Sequence, residues 1–493
     1  MISKLQKTIA LALFICVTAW LHTSCRKLVT NPEILSLAPV IFPDYAGVTI
    51  PATISPLNFT VTGKYEQLYL SIEGGKTGSM ELYASDFFDI PDKQWKKLLS
   101  ENIGDEIRLT VSTLTDGKWT QYEPFKIYVS PYPIDYGLAY RLIAPGYVVY
   151  SKMGIYQRNL SNFKQEPILE NTIVSGSCMN CHSFNQTKTD KMSLHIRGSN
   201  GGTIIKDKDQ LRIVDTKTDQ TISACVYPYW HPSGKFIAYS VNKTKQVFHS
   251  IKDKRIEVVD LESDIVVLDL ETNELLSCDL LMTPNFETFP SFSPDGKTLY
   301  FTCASKQDIP KDYQITRYNL CSISFDPETK TFGSKIDTLI NAEREGKSIS
   351  VPRPSFDGKY IMYTQLDYGN FGIWHKEANL FLLDLATGKT RELTEVNSPD
   401  VDSYHNWSSN SHWFVFSSRR LDGLYTRPFI ASIDENGKIG KPFLVPQKNP
   451  NYYRELLYSY NVPEFINAPV DLNARQAEKM ILSSKREKVS FKK

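Results

Sequence analysis

Four stretches of this chain can be laid over one another residue by residue. They are Trp230-His-Pro-Ser-Gly-Lys-Phe-Ile-Ala-Tyr-Ser, Phe292-Ser-Pro-Asp-Gly-Lys-Thr-Leu-Tyr-Phe-Thr, Pro354-Ser-Phe-Asp-Gly-Lys-Tyr-Ile-Met-Tyr-Thr and Trp407-Ser-Ser-Asn-Ser-His-Trp-Phe-Val-Phe-Ser. The turn residues Gly234, Gly296, Gly358 and Ser411 are spaced by 62, 62 and 53. Each turn leads into a strand with an aromatic residue, Tyr239, Phe301, Tyr363 or Phe416. A second series, Asp215, Asp269, Asp326, Asp384 and Asp434, ends apolar runs and begins hairpin turns. Units of this length with four short strands cannot bury an apolar face alone; stacked around an axis they bury one another, which is the β-propeller solution. An aromatic content of 12% and 27 prolines agree with an all-β chain of many turns.

With strands named A to D from the axis outward, blade one is expected at 172–178, 191–197, 211–215 and 219–225, and the four aligned segments supply the next four blades. A sixth is assembled from both ends of the region. Gly146-Tyr-Val-Val-Tyr-Ser serves as its B strand, Ile155-Tyr-Gln-Arg-Asn-Leu as C and Leu456-Leu-Tyr-Ser-Tyr as A. Closure by both termini leaves no free sheet edge. The expected propeller covers 140–466. Ahead of it, 43–135 holds alternating runs such as Gln67-Leu-Tyr-Leu-Ser-Ile and Glu106-Ile-Arg-Leu-Thr-Val, punctuated by Asp116-Gly117 and Gly74-Gly75, with one helical turn near Trp95. This predicts a β-sandwich of the immunoglobulin or fibronectin kind. Residues 25–42 read as a linker and the basic end, 467–493, as a solvated tail.

The segment Pro290-Ser-Phe-Ser-Pro-Asp-Gly-Lys resembles the repeat of TolB-like propellers, also called WD40-like propeller repeats. The resemblance spans roughly residues 170–450. His231 and Ser233 depart from it in one unit, and the last unit lacks the Gly. It implies a six-bladed scaffold of the cell envelope that docks other proteins.

The chemistry-bearing motif is Cys178-Met179-Asn180-Cys181-His182. Two thiols three positions apart, followed by an imidazole, form the attachment pattern of a c-type haem. Each thiol adds to one vinyl group and the histidine ligates the iron. With eight Cys and eight His in 493 residues, chance supplies roughly 0.002 such matches. A disulfide or half of a zinc site are the other uses of such a pair, but no second pair at zinc spacing exists. The expectation is one covalent haem c on Cys178, Cys181 and His182, in the A–B turn of blade one. The long B–C insertions, 242–264, 304–316 and 366–378, fall on the opposite face. For a sixth iron ligand the candidates are His231 in the next A–B turn and Met192 beside the motif. His195 reads as a packed core residue, and Glu287 and Asp402 as candidates for the channel mouth or as turn caps.

The chain opens with Lys4 and Lys7 before fourteen nearly apolar residues, Thr8 to Leu21, too few to span a bilayer but enough for a signal peptide. Leu21-His22-Thr23-Ser24-Cys25 resembles a bacterial lipoprotein signal, which implies removal of 1–24 and lipidation of Cys25. The protein is then expected in the bacterial envelope, lipid-anchored and facing the periplasm. Cys303 and Cys321 can meet across neighbouring strands in that oxidising compartment. The balance of 56 basic and 55 acidic residues gives no electrostatic case for nucleic acid. No Gly-x-Ser-x-Gly elbow, His-Glu-x-x-His or phosphate loop is present. Three functions remain open. They are electron transfer or redox-linked docking with an envelope partner, a non-redox TolB-like scaffold with Cys178 and Cys181 as a disulfide, and, more remotely, a haem peroxidase-like enzyme.

Overall fold

The computed structural model describes residues 28–145, 152–251, 255–483 and 485–492. Cys25, the signal segment and the expected B strand at 146–151 lie outside them. Alternation dictates the first domain. In Gln67–Gly74 every second side chain is buried, and the strand pairs with Ser79–Ala84 and Glu106–Thr115. The resulting seven-stranded sheet packs on a small sheet of Ile41–Phe42, Phe59–Val61 and Phe87–Phe88, with Phe59, Phe88 and Phe125 in ring contact between them. The expected linker is partly structural, since Glu33–Ile34 and Ile41–Phe42 each join a sheet. The expected helical turn is a ten-residue helix, Asp92–Glu101, that buries Trp95, Leu98 and Leu99.

Six four-stranded blades follow. Their inner strands are Cys178–Asn185, Val226–Trp230, Phe286–Phe292, Ser348–Pro354, Asp402–Trp407 and Ser459–Ile466, blades one to six in that order. Blade six is closed by both termini as expected: Ser459–Ile466 pairs with Gly137–Ile143, which pairs with Gly154–Asn159 and then Gln165–Glu170. Its B strand is therefore Gly137–Ile143. The aspartates that end C strands accept backbone N–H groups of the next turn, as Asp269 does from Glu271 and Asp326 from Glu328. Cys303 and Cys321 are joined across neighbouring strands of blade three. An unbroken apolar core runs from Tyr45, Val48 and Phe59 of the sandwich to Trp413, Phe443 and Tyr453 of the propeller. Tyr132 stacks on His412 at 3.6 Å, and Trp413 Nε1 donates to Pro133 O at 2.9 Å.

Two sequence expectations are corrected. In blade one the second strand lies where expected, but the inner strand starts at the motif and the expected third strand is the fourth: its strands are Cys178–Asn185, Lys188–Arg197, Gly202–Asp207 and Gln210–Asp215, and 219–225 is a connection. The second correction is the C-terminal tail, which is built in. Residues Ala474–Leu482 form a helix burying Ala477 and Ile481. Glu487–Lys488 then adds to the outer strand of blade one, and Ser490–Lys492 to that of blade two. Basic composition suggested solvation, but parallel strand addition uses the backbone, so side-chain polarity does not report it.

Candidate functional site

Every inner strand carries one non-glycine residue in the left-handed region: Cys181, Tyr227, Phe289, Val351, Tyr404 and Val462, with φ between 45° and 54°. Each coincides with a break in the ladder to the second strand of its blade. Such a conformation is unfavourable for a side chain with a Cβ and persists only where the surroundings enforce it. The next residue is Pro in four blades, Pro228, Pro290, Pro352 and Pro463, and histidine in the other two, His182 and His405. The third residue of these triplets is Ser183, Tyr229, Ser291, Arg353, Asn406 or Glu464. Except for Ser291, these third residues line an axial channel together with Arg141, Asn180 and all six residues of the left-handed ring.

The expected haem motif is thus the first half of an inner strand, not an A–B turn. Its reverse turn lies further on, at Gln186-Thr187, between the paired Asn185 and Lys188. Cys178 pairs with Arg197 at the end of the blade where B–C connections emerge, so the motif shares a face with the long insertions. Cys178 and Cys181 are free thiols, each partly exposed. Cys181 and His182 line the channel, and Cys178 stands just outside it. The His182 imidazole is buried; its Nε2 has no hydrogen-bond partner and lies 3.7 Å from Glu464 Oε1. Burial, and then the Arg141 cation, push its pKa down to about 3, against a hydrogen bond to the Val462 backbone. The ring is therefore neutral. Arg141 Nη1 donates to Asn180 Oδ1 within the motif. Burial raises Glu464 to about 8, opposed by the Phe184 N–H and by Arg353.

One mouth of the channel is capped. The second and third strands of blade two, Phe236–Phe248 and Ile256–Asp269, extend as a long arm across the B–C face. Asp260 on this arm accepts from Asn242 at 2.8 Å, Tyr318 at 3.0 Å and Asn370 at 2.6 Å. Glu257 accepts from Tyr368 at 2.6 Å and pairs with His375 at 3.2 Å. Val258 and Phe371 pack on Tyr227, Phe289, Val351 and Tyr404, the ring members of blades two to five. Cys181 and Val462, from blades one and six, are outside this packing; they are half-buried, as are Tyr227 and Tyr404.

The other sequence candidates fall elsewhere. His231 has both nitrogens committed, Nδ1 with Ser233 Oγ at 2.7 Å and Nε2 with Gly296 O at 3.0 Å, and it packs between Phe236 and Phe292. Met192 is buried beside Phe184 in the core between blades. Neither lines the channel, so neither is placed to reach an iron at His182. His195 is buried with Nδ1 on Thr203 Oγ1 at 3.1 Å. Glu287 and Asp402 are buried at the starts of inner strands, Glu287 holding Thr283 and Asp402 paired with Arg420 at 2.7 Å; neither lines the channel. The residues that do, Arg353, Glu464, Tyr229 and Arg141, were missed. The signal available was the triplet of apolar or aromatic residue, Pro or His, then channel residue, just ahead of each aligned turn.

The donor set suits a c-type haem: two free thiols, and a neutral imidazole with one unshared nitrogen beside aromatic and guanidinium side chains. Among the described residues, no helix is long and apolar enough to cross a membrane. Neither the family models nor the curated proteins contain a match. Solved structures similar to the chain include an oligogalacturonate lyase in complex with manganese (11% identity, TM-score 0.32, covering 62% of this chain and 86% of that one). A puromycin-hydrolyzing peptidase of Mycobacterium tuberculosis is 11% identical, with TM-score 0.34 over 85% of this chain and 57% of its own. The tricorn protease is 10% identical, with TM-score 0.29 over 69% of this chain and 41% of its own.

Proposed function

We propose that this protein is a lipid-anchored cytochrome of the bacterial envelope. One haem c is joined to Cys178 and Cys181 and ligated by His182, for electron transfer or redox-linked docking with an envelope partner. The observation that carries it is the buried His182 Nε2 without a partner, on a ring kept neutral, next to two unpaired thiols. A buried nitrogen left unsatisfied is unfavourable by about 1–3 kcal/mol, which ligation would relieve. When bound, the haem supplies a one-electron carrier. The chain's part is to hold the imidazole neutral through burial, keep the thiols on the uncovered sector of the mouth, and exclude water from the rest with the Val258–Phe371 cap. Purified from a host that exports the chain and assembles c-type haem, the protein is expected to show a haem spectrum that survives acid–acetone extraction. Cys178→Ala and Cys181→Ala each weaken that retention. Colourless protein from such a host, with the two cysteines joined, ends this assignment.

One observation favours a second function, a non-redox TolB-like docking scaffold. Cys181-His182 fills a repeat position held elsewhere by Tyr-Pro, Phe-Pro, Val-Pro and Tyr-His, so the pair has a structural use without any cofactor. His182→Pro separates the two. The substitution copies four other blades and is expected to fold. In the cytochrome it changes the iron spectrum while the pigment stays attached; in the scaffold it changes nothing. The anchor is tested by fatty-acid labelling, expected in the wild type and absent from Cys25→Ser.

A further inference from the structure

The third residues of the six triplets alternate in size. Blades two, four and six contribute Tyr229, Arg353 and Glu464; blades one, three and five contribute Ser183, Ser291 and Asn406. Three long polar side chains from alternate blades thus converge on the axis, with short ones between them. Arg353 crosses the channel to lie 5.2 Å from the Tyr229 ring centroid. Arg353, Tyr229 and Glu464 sense one another's charge, yet Arg353 and Glu464 do not close to the 4.0 Å of an ion pair. Their hydrogen-bonding capacity is mostly unspent. Arg353 makes one bond, from Nη1 to Pro352 O at 3.1 Å. Glu464 Oε2 accepts the Phe184 N–H at 3.1 Å, and its Oε1 lies 3.7 Å from the His182 nitrogen. Asn406 uses its Oδ1 on the Trp407 N–H. The channel holds about 70 Å³ of space reachable by the centres of water-sized molecules, where about 10–15 Å³ suffices for one water.

A half-buried cation and a buried carboxyl, held apart across a narrow polar ring and each making a single hydrogen bond to the backbone, are set to receive something between them. We infer that the axial channel binds a small hydroxy carboxylate, its carboxylate on Arg353 and the Tyr229 hydroxyl and its own hydroxyl on Glu464. Arg353 supplies a planar fork that matches a carboxylate. Glu464 lines the same channel and offers its Oε1, the oxygen not taken by the Phe184 N–H, to a hydroxyl. The left-handed ring directly above explains the convergence: each break in the ladder re-aims the following side chains toward the axis. The carboxylate half of this site has two sources, a free hydroxy acid or a propionate of the haem proposed above, which would meet Arg353 and Tyr229 and bring no hydroxyl to Glu464; only the second rests on that proposal.

The test is calorimetric titration of the full-length protein with glycolate, and with ethylene glycol as the probe lacking the carboxylate. Glycolate is expected to bind and ethylene glycol not. Arg353→Gln weakens glycolate at least tenfold while circular dichroism stays native, and Tyr229→Phe weakens it several-fold. If Arg353→Gln does not fold, Tyr229→Phe, which removes one hydroxyl, carries the test. Binding by both pigmented protein and Cys178→Ala/Cys181→Ala identifies a free acid as the natural occupant. Binding by the double variant alone identifies the propionate. Glycolate binding that Arg353→Gln and Tyr229→Phe leave unchanged, or no binding in either form, overturns the inference.

Discussion

His405 occupies a place that four other blades give to proline. Its Nε2 bonds Met362 O of the neighbouring blade at 2.8 Å, so the ring ties two blades together where proline only fixes the backbone. Burial and then Arg353 push its pKa down to about 3, against the bond to Met362. A base depressed in the folded state takes up its proton on unfolding. Its stabilisation is present above the unfolded pKa near 6.5 and is lost as pH falls toward 3. Between pH 7 and pH 5 the wild type is expected to lose on the order of 2 kcal/mol through this residue. His405→Pro should remove that dependence, checked by urea unfolding at both pH values; an unchanged slope with pH refutes the assignment. Residue-scale function was only half legible in the sequence. Cys178, Cys181 and His182 announce themselves by spacing, whereas Arg353 and Glu464 are single residues in unrelated blades, brought together only by closing the ring. His231 misled because a histidine in a turn looks available until its two bonds are seen.

At the scale of elements, the arm of blade two and the C-terminal segment are the two pieces that the repeat does not explain. The arm is held by Glu257 on His375, whose other nitrogen meets Glu377 at 3.1 Å. Burial lowers the His375 pKa, but the two carboxylates outweigh it and lift it to about 9. A base raised in the folded state contributes stability that is complete below about 6.5 and is lost as pH rises through about 9. The arm is therefore expected to loosen between pH 8 and pH 10. Proteolysis or hydrogen exchange across 242–262 should rise there in the wild type, while His375→Gln should be looser at pH 7 and flat above it. The C-terminal segment is expected to matter more than its composition suggests. Truncation after Asn467 removes the buried Ala477 and Ile481 and uncovers the outer edges of blades one and two. A lowered urea midpoint, by about 2–4 kcal/mol in stability, is the expected result; an unchanged midpoint would show that the added strands are dispensable. The strands of the middle blades were readable because Asp-Gly turns and aromatic positions repeat. Blade one lacks that turn, and its inner strand runs over Cys178–Asn185 where 172–178 was expected.

For the molecule as a whole, sandwich and propeller share one apolar core, so they are expected to unfold in a single transition rather than two. Calorimetry of the full chain checks this; two resolved transitions would mean that the shared core contributes little. Truncation at Asn451 takes the inner strand from blade six and opens the ring, and should collapse that transition altogether. The all-β class and the six-fold count followed from the period, but the bond between the domains did not, because Tyr132 and His412 carry no mark of being stacked.

The borrowed inner strand of blade six also sets a clock. A chain that emerges amino end first presents the outer three strands of that blade early and the strand that completes them only after blades one to five. Until Ser459–Ile466 arrives, the first inner strand has no neighbour on one side, and His182 has neither Glu464 beside it nor Val462 above it. Cys178, Cys181 and His182 are then reachable by any enzyme that modifies thiols. Delivery of the last strand ends that interval.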